Sequence, residues 1–357
     1  MHDIGIAHWA DDLMHWAEDI DRDLPWKSTT DPYKIWISEI ILQQTQVSQG
    51  KAYYLNFIQE FPTIEALANA EIQKVLKVWQ GLGYYSRARH LHKASIFLRD
   101  NFNSKLPSNY TSLRSLPGIG DYTAGAILSF AFDLPFPAID SNVIRFISRL
   151  FGIFNHPSSK QNLEALKSKI IPGFDTFRPS LLNQALIDFG ALMCTPSTPK
   201  CSECPFNQRC YAYTHEAVAE LPVKKKKIVK RSRYFHYFMI TDDKNVVLNH
   251  RDNTDIWRGL TEFPLIETED DLFDSTEAIK IINEKMGIHH LNITLKQIES
   301  KRQLLTHQII HGKIYHMYVK KIIKIKEPYF LADRQKVSTF AFPKILTDCI
   351  HLWVDVV

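Results

Sequence analysis

No part of the 357-residue chain approaches the roughly 18–20 consecutive apolar residues of a membrane-spanning helix, which excludes a helical membrane protein. The opening Met1-His2-Asp3-Ile4-Gly5 lacks the basic start and apolar centre of a secretory signal, so a cytoplasmic location and no membrane partner are expected. Glycine (13) and proline (17) are sparse and aperiodic, and there is no internal repeat or low-complexity tract. Collagen-like, coiled-coil and disordered classes therefore drop out. Charge of one sign is also missing: 43 Lys and Arg against 39 Asp and Glu leave +4, which permits a nucleic-acid partner without establishing one. Cysteine is rare, 5 in all, yet four fall between residues 194 and 210. An odd, clustered set points to a metal centre in a reducing compartment and away from a disulfide framework.

What remains is globular material, 45% hydrophobic and 12% aromatic. The length suits about two to three domains, a catalytic body plus an accessory part. Residues 1 to about 215 read as helix after helix. Asp31-Pro32 supplies an N-cap and a first-turn proline before Tyr33, Trp36, Ile37, Ile40 and Ile41 recur at helical spacing. Further helical stretches are expected at Ile64–Leu67, Ile72–Trp79, Ser86–Phe97, Tyr122–Phe130, Val143–Phe151 and Leu181–Leu192. A basic run from Lys224 to Arg233 then reads as a linker over 216–231, either a solvated tether or one that also touches phosphates. Beyond it the period turns strand-like at Tyr234–Ile240, Asn245–Asn249 and Leu304–Val319, with one helix near Thr276–Met286, so an α+β domain is expected over 232–357.

Cys194, Cys201, Cys204 and Cys210 form C-x6-C-x2-C-x5-C, a compact thiolate set able to wrap either a structural zinc or a 4Fe-4S cluster. The isolated Cys349 reads as an inert buried thiol. With Asp188-Phe189-Gly190-Ala191 before it and Pro205 inside it, the loop resembles the iron-sulfur loop of the endonuclease III and MutY superfamily of DNA glycosylases. The resemblance implies a 4Fe-4S cofactor with a structural or DNA-positioning role, since thiolate-saturated iron has no open position for substrate.

Leu116-Pro117-Gly118-Ile119-Gly120 places two glycines just before a helix of small and apolar residues. Backbone N–H groups at Gly118 and Gly120 can face a phosphate there, although the motif alone favours a plain helix-helix turn. The segment is similar to the helix-hairpin-helix of the same superfamily. Members that also cut the DNA strand carry a lysine where this chain has Tyr122, because a Schiff base with the sugar needs an amine. The resemblance therefore implies a monofunctional enzyme that hydrolyses the N-glycosidic bond and stops at the abasic site.

Ser38-Glu39-Ile40-Ile41-Leu42-Gln43-Gln44-Thr45-Gln46-Val47 is close to the S-E-V-M-L-Q-Q-T-Q-V segment of MutY-type adenine DNA glycosylases. Its helix is apolar on most sides, so a carboxyl at Glu39 is expected to be buried and raised in pKa, toward the range useful to a general acid. Composition alone would make Glu39 a surface or capping residue; the resemblance makes it the acid that protonates adenine N7. Asp140, at the start of another helix, reads as an N-cap that the helix start keeps ionised, and by resemblance as the anion facing the developing oxocarbenium sugar. The family pattern D-G-N-V has Ser141 in its glycine place here, while Asp140 and Asn142 match. Asn142 and Tyr122 are carried over as polar partners of the two carboxylates.

Reaching a base inside a duplex requires extruding it. By resemblance Gln43 and Gln44, and Tyr84 in Gly81-Leu82-Gly83-Tyr84-Tyr85-Ser86-Arg87-Ala88-Arg89, serve that step, with Gln44 and Tyr84 as wedges and Arg87, Arg89 and His90 at phosphates. Trp257-Arg258-Gly259-Leu260-Thr261-Glu262-Phe263-Pro264 is similar to the W-x-G-L-x-x-F-P of the Nudix-like domain that checks for 8-oxoguanine opposite adenine. No Glu-rich Nudix box follows, so pyrophosphatase activity is not expected. Leu305-Thr306-His307 stands where many relatives carry the Phe-Ser-His of the lesion-reading loop; the hydroxyl and imidazole are kept and an aromatic ring is lost.

The expected fold is thus mainly α. A helix-hairpin-helix glycosylase with an iron-sulfur loop spans 1–215, with 29–135 as the six-helix part and 1–28 plus 136–215 as the iron-sulfur part; a Nudix-like α+β domain spans 232–357. The expected partner is double-stranded DNA with adenine opposite 8-oxoguanine or guanine, met by a nucleoid-associated, bacterial-type monomer. An oxidised-pyrimidine glycosylase/lyase is disfavoured by Tyr122, and a noncatalytic iron-sulfur DNA binder by the pair Glu39 and Asp140.

Overall fold

The computed structural model describes residues 8–224, 229–251, 255–271, 274–286, 296–322, 325–347 and 350. Cys349 and the Lys225–Lys227 part of the basic run lie outside the described residues. Among the described residues the helices in chain order are α1 (Trp9–Glu18), α2 (Pro32–Leu42), α3 (Val47–Glu60), α4 (Ile64–Asn69), α5 (Ile72–Val78), α6 (Ser86–Phe102), α7 (Tyr110–Ser115), α8 (Asp121–Phe132), α9 (Ser141–Phe151), α10 (Lys160–Ile170), α11 (Pro179–Leu192), α12 (Tyr211–Thr214) and α13 (Ser275–Met286). None is long and apolar enough to cross a membrane.

The chain divides into two compact units, residues 1–68 with 93–226, and residues 69–92 with 227–357. In the first, α1, α9 and α11 converge on a core of Trp9, Leu13, Phe146, Phe189 and Phe206, against which Cys194, Cys204 and Cys210 also pack. Nearly every side chain of α2 from Tyr33 to Ile41 is buried, which matches its near-continuous apolar sequence. The helix starts where the sequence says it should: Asp31 accepts the Tyr33 N–H at 2.9 Å and Pro32 fills the first turn.

Among its described residues the second unit holds a seven-stranded sheet built from β1 (Arg231–Thr241), β2 (Asn245–His250), β3 (Thr261–Glu262), β4 (Leu265–Thr268), β5 (Lys296–Leu304), β6 (Gln308–Tyr318) and β7 (Tyr329–Asp333). Its path runs β3-β2-β1-β6-β5, with β4 on β1 and β7 on β2; β1 and β6 are parallel and the other pairs antiparallel. Alternate residues of β1 serve opposite faces. Phe235, Tyr237 and Met239 join one core, while Phe238 and Ile240 join the other with Ala278, Ile282 and Met286 of α13. The expected apolar stretch at Leu304–Val319 resolves into the end of β5, a turn at Leu305-Thr306-His307, and β6.

Candidate active site

Glu39 sits on the buried middle of α2 and is only 7% exposed. The Tyr122 hydroxyl, from the first turn of α8, donates to its Oε2 at 2.6 Å. Burial pushes the Glu39 carboxyl up to about 7; the Tyr122 hydrogen bond opposes this and the neighbouring Asp140 charge adds to it. Tyr122 itself is held well above its ordinary value, mainly by burial and then by the Glu39 charge, so it remains a phenol that donates. The environment therefore keeps a substantial share of Glu39 protonated near neutral pH, where an ordinary carboxyl is ionised.

Asp140 caps α9. Its Oδ1 accepts the N–H groups of Asn142 and Val143, both at 2.8 Å, and its Oδ2 accepts Asn142 Nδ2 at 2.7 Å. Burial lifts its pKa above the ordinary value, while those three donors and the Arg145 charge hold it down. Glu39 has one donor where Asp140 has three, so a proton shared between them resides on Glu39. Both carboxylates line one cavity of about 1260 Å³, together with Trp26, Leu42, Tyr122 and Gln184. Ser141, in the place where a glycine was the pattern, is simply the first residue of α9, and only Gly152 beyond its end needs a positive φ. Ser141 is not at a positive φ, so its side chain meets no left-handed backbone strain.

The other end of α9 reaches the cysteine loop. Arg145, 6% exposed, donates to Asn142 Oδ1 at 2.8 Å, to Gly190 O at 2.6 Å and to Cys194 O at 2.6 Å. Arg149 donates to Cys194 Sγ at 3.5 Å and to Thr195 O at 2.8 Å. The close approach of α9 to α11 needs a glycine, because a Cβ at Gly190 would lie 2.6 Å from both the carbonyl oxygen and the Cβ of Asn142. Cys194, Cys201, Cys204 and Cys210 line one small pocket with Phe146, Phe189 and Phe206. Burial raises the thiols of Cys201, Cys204 (to about 12) and Cys210, and the neighbouring cysteine charges add to it. Among the described residues no group of three or more His, Cys, Asp or Glu side chains is arranged to hold a metal ion. The chemistry of the donor set nevertheless fits a thiolate-ligated centre: four soft sulfur donors line one apolar pocket, and a multiply charged cation removes the repulsion that their ionised forms would feel.

Of the expected DNA-facing residues, Gln44 is exposed and has φ +59° on the loop after α2, while Gln43 donates to Thr123 Oγ1 at 3.2 Å. Gly118 has φ +82°, and Gly120 is the exposed N-cap of α8.

A family model described as HhH-GPD superfamily base excision DNA repair protein matches residues 37–172, and a NUDIX domain model matches residues 236–352. The adenine DNA glycosylase of Buchnera aphidicola subsp. Baizongia pistaciae is 38% identical over 80% of this chain and 84% of its own length. That of Buchnera aphidicola subsp. Schizaphis graminum is 36% identical over 93% of this chain and 94% of its own. The chain belongs to the adenine DNA glycosylase family. Among solved structures, a thermostable thymine-DNA glycosylase is similar to 58% of this chain and 95% of its own, with a TM-score of 0.53 and 28% identity.

In the second unit of this adenine DNA glycosylase family member, Tyr84 is 49% exposed with φ +46°, and its hydroxyl lies 2.6 Å from Thr306 Oγ1. Left-handed backbone in a tyrosine is a strained conformation of the kind that functional loops carry. Both wedge candidates, Gln44 and Tyr84, share it. Leu305 packs on the sheet core, Leu305 N–H closes the turn onto Gln308 O at 2.8 Å, and His307 O accepts from Arg231 N–H at 3.1 Å, leaving Thr306 and His307 exposed. A cavity of about 640 Å³ opens beside this turn and Tyr84. Arg87, expected at a phosphate, is instead turned inward: it is 9% exposed, donates to Leu82 O and Gly83 O, and lies 5.2 Å from the Trp79 ring. It shapes the loop that presents Tyr84. Arg89 donates to Arg258 O at 2.7 Å. Sequence reasoning missed Arg145, Arg149 and Asp188 as site-building residues; the available signal was a charged residue in an otherwise apolar helical run, which must find a partner inside.

Proposed function

We propose that this chain is a monofunctional adenine DNA glycosylase that hydrolyses the N-glycosidic bond of adenine mispaired with 8-oxoguanine or guanine. The observation that carries the reading is a buried Glu39, hydrogen-bonded by Tyr122, in the same cavity as a helix-capping Asp140. Glu39 donates its proton to adenine N7; the C1′–N9 bond breaks with its electron pair leaving on N9. The oxocarbenium left on the sugar faces the Asp140 carboxylate, whose charge the α9 N-terminus and Asn142 support. Water then adds at C1′ and returns a proton to Glu39. Tyr122 holds Glu39 in place and offers no amine, so strand cleavage is not part of the reaction.

Gln44 and Tyr84 are assigned to extrusion of the base, Gly118 and Gly120 to the phosphate backbone, and Leu305, Thr306 and His307 to reading the opposite base. Cys194, Cys201, Cys204 and Cys210 would hold a 4Fe-4S cluster, which supplies structural support and DNA positioning without an open iron position; iron and sulfide content of the purified protein tests it. A monomer working at DNA in the cytoplasm completes the reading. The deciding assay uses a duplex with adenine opposite 8-oxoguanine, scored before and after hot alkali. Breaks that appear only after alkali support the proposal, breaks without alkali indicate a lyase, and no abasic product in either overturns it.

A further inference from the structure

Between α1 and α2, residues 19–31 form an irregular strap whose Arg22, Leu24, Trp26 and Lys27 line the cavity that holds Glu39 and Asp140, the first and last of these being also the residues that tie the strap down. Short local bonds such as Leu24 N–H to Arg22 O at 2.7 Å and Lys27 N–H to Leu24 O at 2.9 Å do not tie it to the rest of the unit. Side chains do. Asp188 on α11, 4% exposed, accepts Arg22 Nη1 at 2.7 Å, Lys27 Nζ at 2.5 Å and Gln184 Nε2 at 3.1 Å. Two further ties are weaker: the Trp26 ring meets Tyr54 edge-on with centroids 5.4 Å apart, and Lys51 donates to Asp23 Oδ2 at 2.8 Å and to Asp23 O at 3.2 Å in a pair open to water, with the Asp23 side chain 96% exposed. Exposed pairs hold little, whereas a carboxylate buried under two cations fixes geometry. Asp188 does not touch the catalytic carboxylates.

We propose that Asp188 is a positioning residue for base excision: by clamping Arg22 and Lys27 it holds the strap so that Leu24 and Trp26 form a fixed wall against the extruded adenine. The inference rests on the reading of this cavity as the adenine site. Chemistry of this kind loses rate when a wall shifts by about 1 Å, because the base then no longer presents N7 to the acid.

The test uses the full chain in single-turnover excision, together with chymotrypsin cleavage after Trp26 as a direct measure of strap release. Asp188→Asn is expected to lose about tenfold or more in rate and to gain cleavage at Trp26, with binding to undamaged duplex kept. Asp188→Glu, which restores the carboxylate, is expected to recover most of both, and Lys51→Ala to leave both unchanged. If Asp188→Asn fails to fold, Arg22→Gln with Lys27→Gln carries the same test, since the lone carboxyl can neutralise itself by taking up a proton. Wild-type rate and protection in Asp188→Asn or in that pair overturn the clamp, as does failure of the glutamate to rescue. Glu39→Gln separates the two ideas: normal excision there removes the cavity reading, whereas loss there with a normal Asp188→Asn leaves the cavity standing and removes the clamp.

Discussion

Glu39 in the helical unit and Asp255 in the Nudix-like unit each line a cavity, and each is a carboxylate with close side-chain partners. Their partners are opposite in kind. Asp255 accepts two bonds from the Arg233 guanidinium at 2.8 and 2.7 Å and one from Arg251 at 2.7 Å, and these cations hold its pKa well below the carboxylate range. Arg233 also grips Glu267 and reaches Gln308 at the end of the 305–307 turn, so the group is a structural ion that ties strands and loop together. Glu39 has a phenol and a nearby anion, and burial pushes it up to about 7. The comparison teaches how one functional group is kept as a permanent charge in one place and as a reservoir for one proton in the other: deep burial decides at Glu39, while at the more exposed Asp255 the paired guanidinium groups outweigh burial.

The largest expected effect comes from removing the reservoir. Glu39→Gln keeps size and polarity but has no proton to give, and general acids of this kind contribute about 10²–10⁴-fold, so single-turnover excision should fall by that factor while duplex binding persists. A variant that still excises at wild-type speed would break the contrast between the two carboxylates. In the wild type, only protein with Glu39 protonated is competent, so the excision rate should decline as pH rises through about 7. A flat profile from pH 5 to about 8.5 would sink the assignment of the acid.

The same shift also makes stability depend on pH, in the same direction as the rate. Glu39 has a folded-state pKa of about 7 against an ordinary 4.5, so the folded state binds more protons in that window and stability falls as pH rises from 4.5 to 7. Above pH 7 the loss is fully in force, on the order of 3 kcal/mol by the linkage relation. Glu39→Gln should therefore unfold later than wild type at pH 8 and with little advantage at pH 4.5, measured by thermal unfolding. Asp255→Asn tests the other side of the comparison. A depressed carboxylate stabilises above its unfolded pKa and loses that contribution in acid, so this variant should be destabilised at pH 7 by about 2 kcal/mol, the loss of charged hydrogen bonds from a partly exposed site. It should approach wild type as pH falls below the carboxylate range. Equal destabilisation at every pH would mean that packing, not charge, is what Asp255 supplies.

How much of this was legible beforehand differs between the two regions for physical reasons. The burial of Glu39 followed from the run of apolar residues around it, since a helix without a polar face has nowhere exposed to put a carboxyl. The capping role of Asp140 followed from its place before Val143, Ile144 and Ile147, and the helices expected at 64–67, 72–79 and 181–192 each appear with ends shifted by a few residues. What could not be read was anything set by contacts distant in sequence. Arg22 and Lys27 meet Asp188 across 166 and 161 residues, and Arg233 meets Asp255 and Glu267 across 22 and 34, so no local pattern reveals these pairs. Arg87 shows the same limit from the other direction. A basic residue in the first turn of α6 beside an exposed tyrosine suggests a phosphate contact, yet Arg87 donates to the carbonyls of Leu82 and Gly83 and the Trp79 ring covers it. The short strands β3 and β4 escaped notice because two and four residues carry no period to count.

The smallest expected effect lies at the exposed end of the Asp255 network. Thr306 stands on the turn that Gln308 closes, and its hydroxyl is 2.6 Å from Tyr84 Oη with both side chains open to solvent. Removing an exposed hydrogen bond of this kind should leave thermal stability within about 0.5 kcal/mol of wild type. The hydroxyl is also the group that the proposed function sets against the opposite base, where one neutral hydrogen bond is worth about 1 kcal/mol, or roughly fivefold. Thr306→Ala should therefore reduce the ratio of excision rates for adenine opposite 8-oxoguanine and adenine opposite guanine by a factor of that order, and Thr306→Ser should restore it. Excision opposite guanine should change little, because Glu39 and Asp140 lie in the other unit and keep their own partners. If the ratio is unchanged in Thr306→Ala, the hydroxyl serves only to hold Tyr84, and discrimination must come from Leu305, His307 or the tyrosine ring itself.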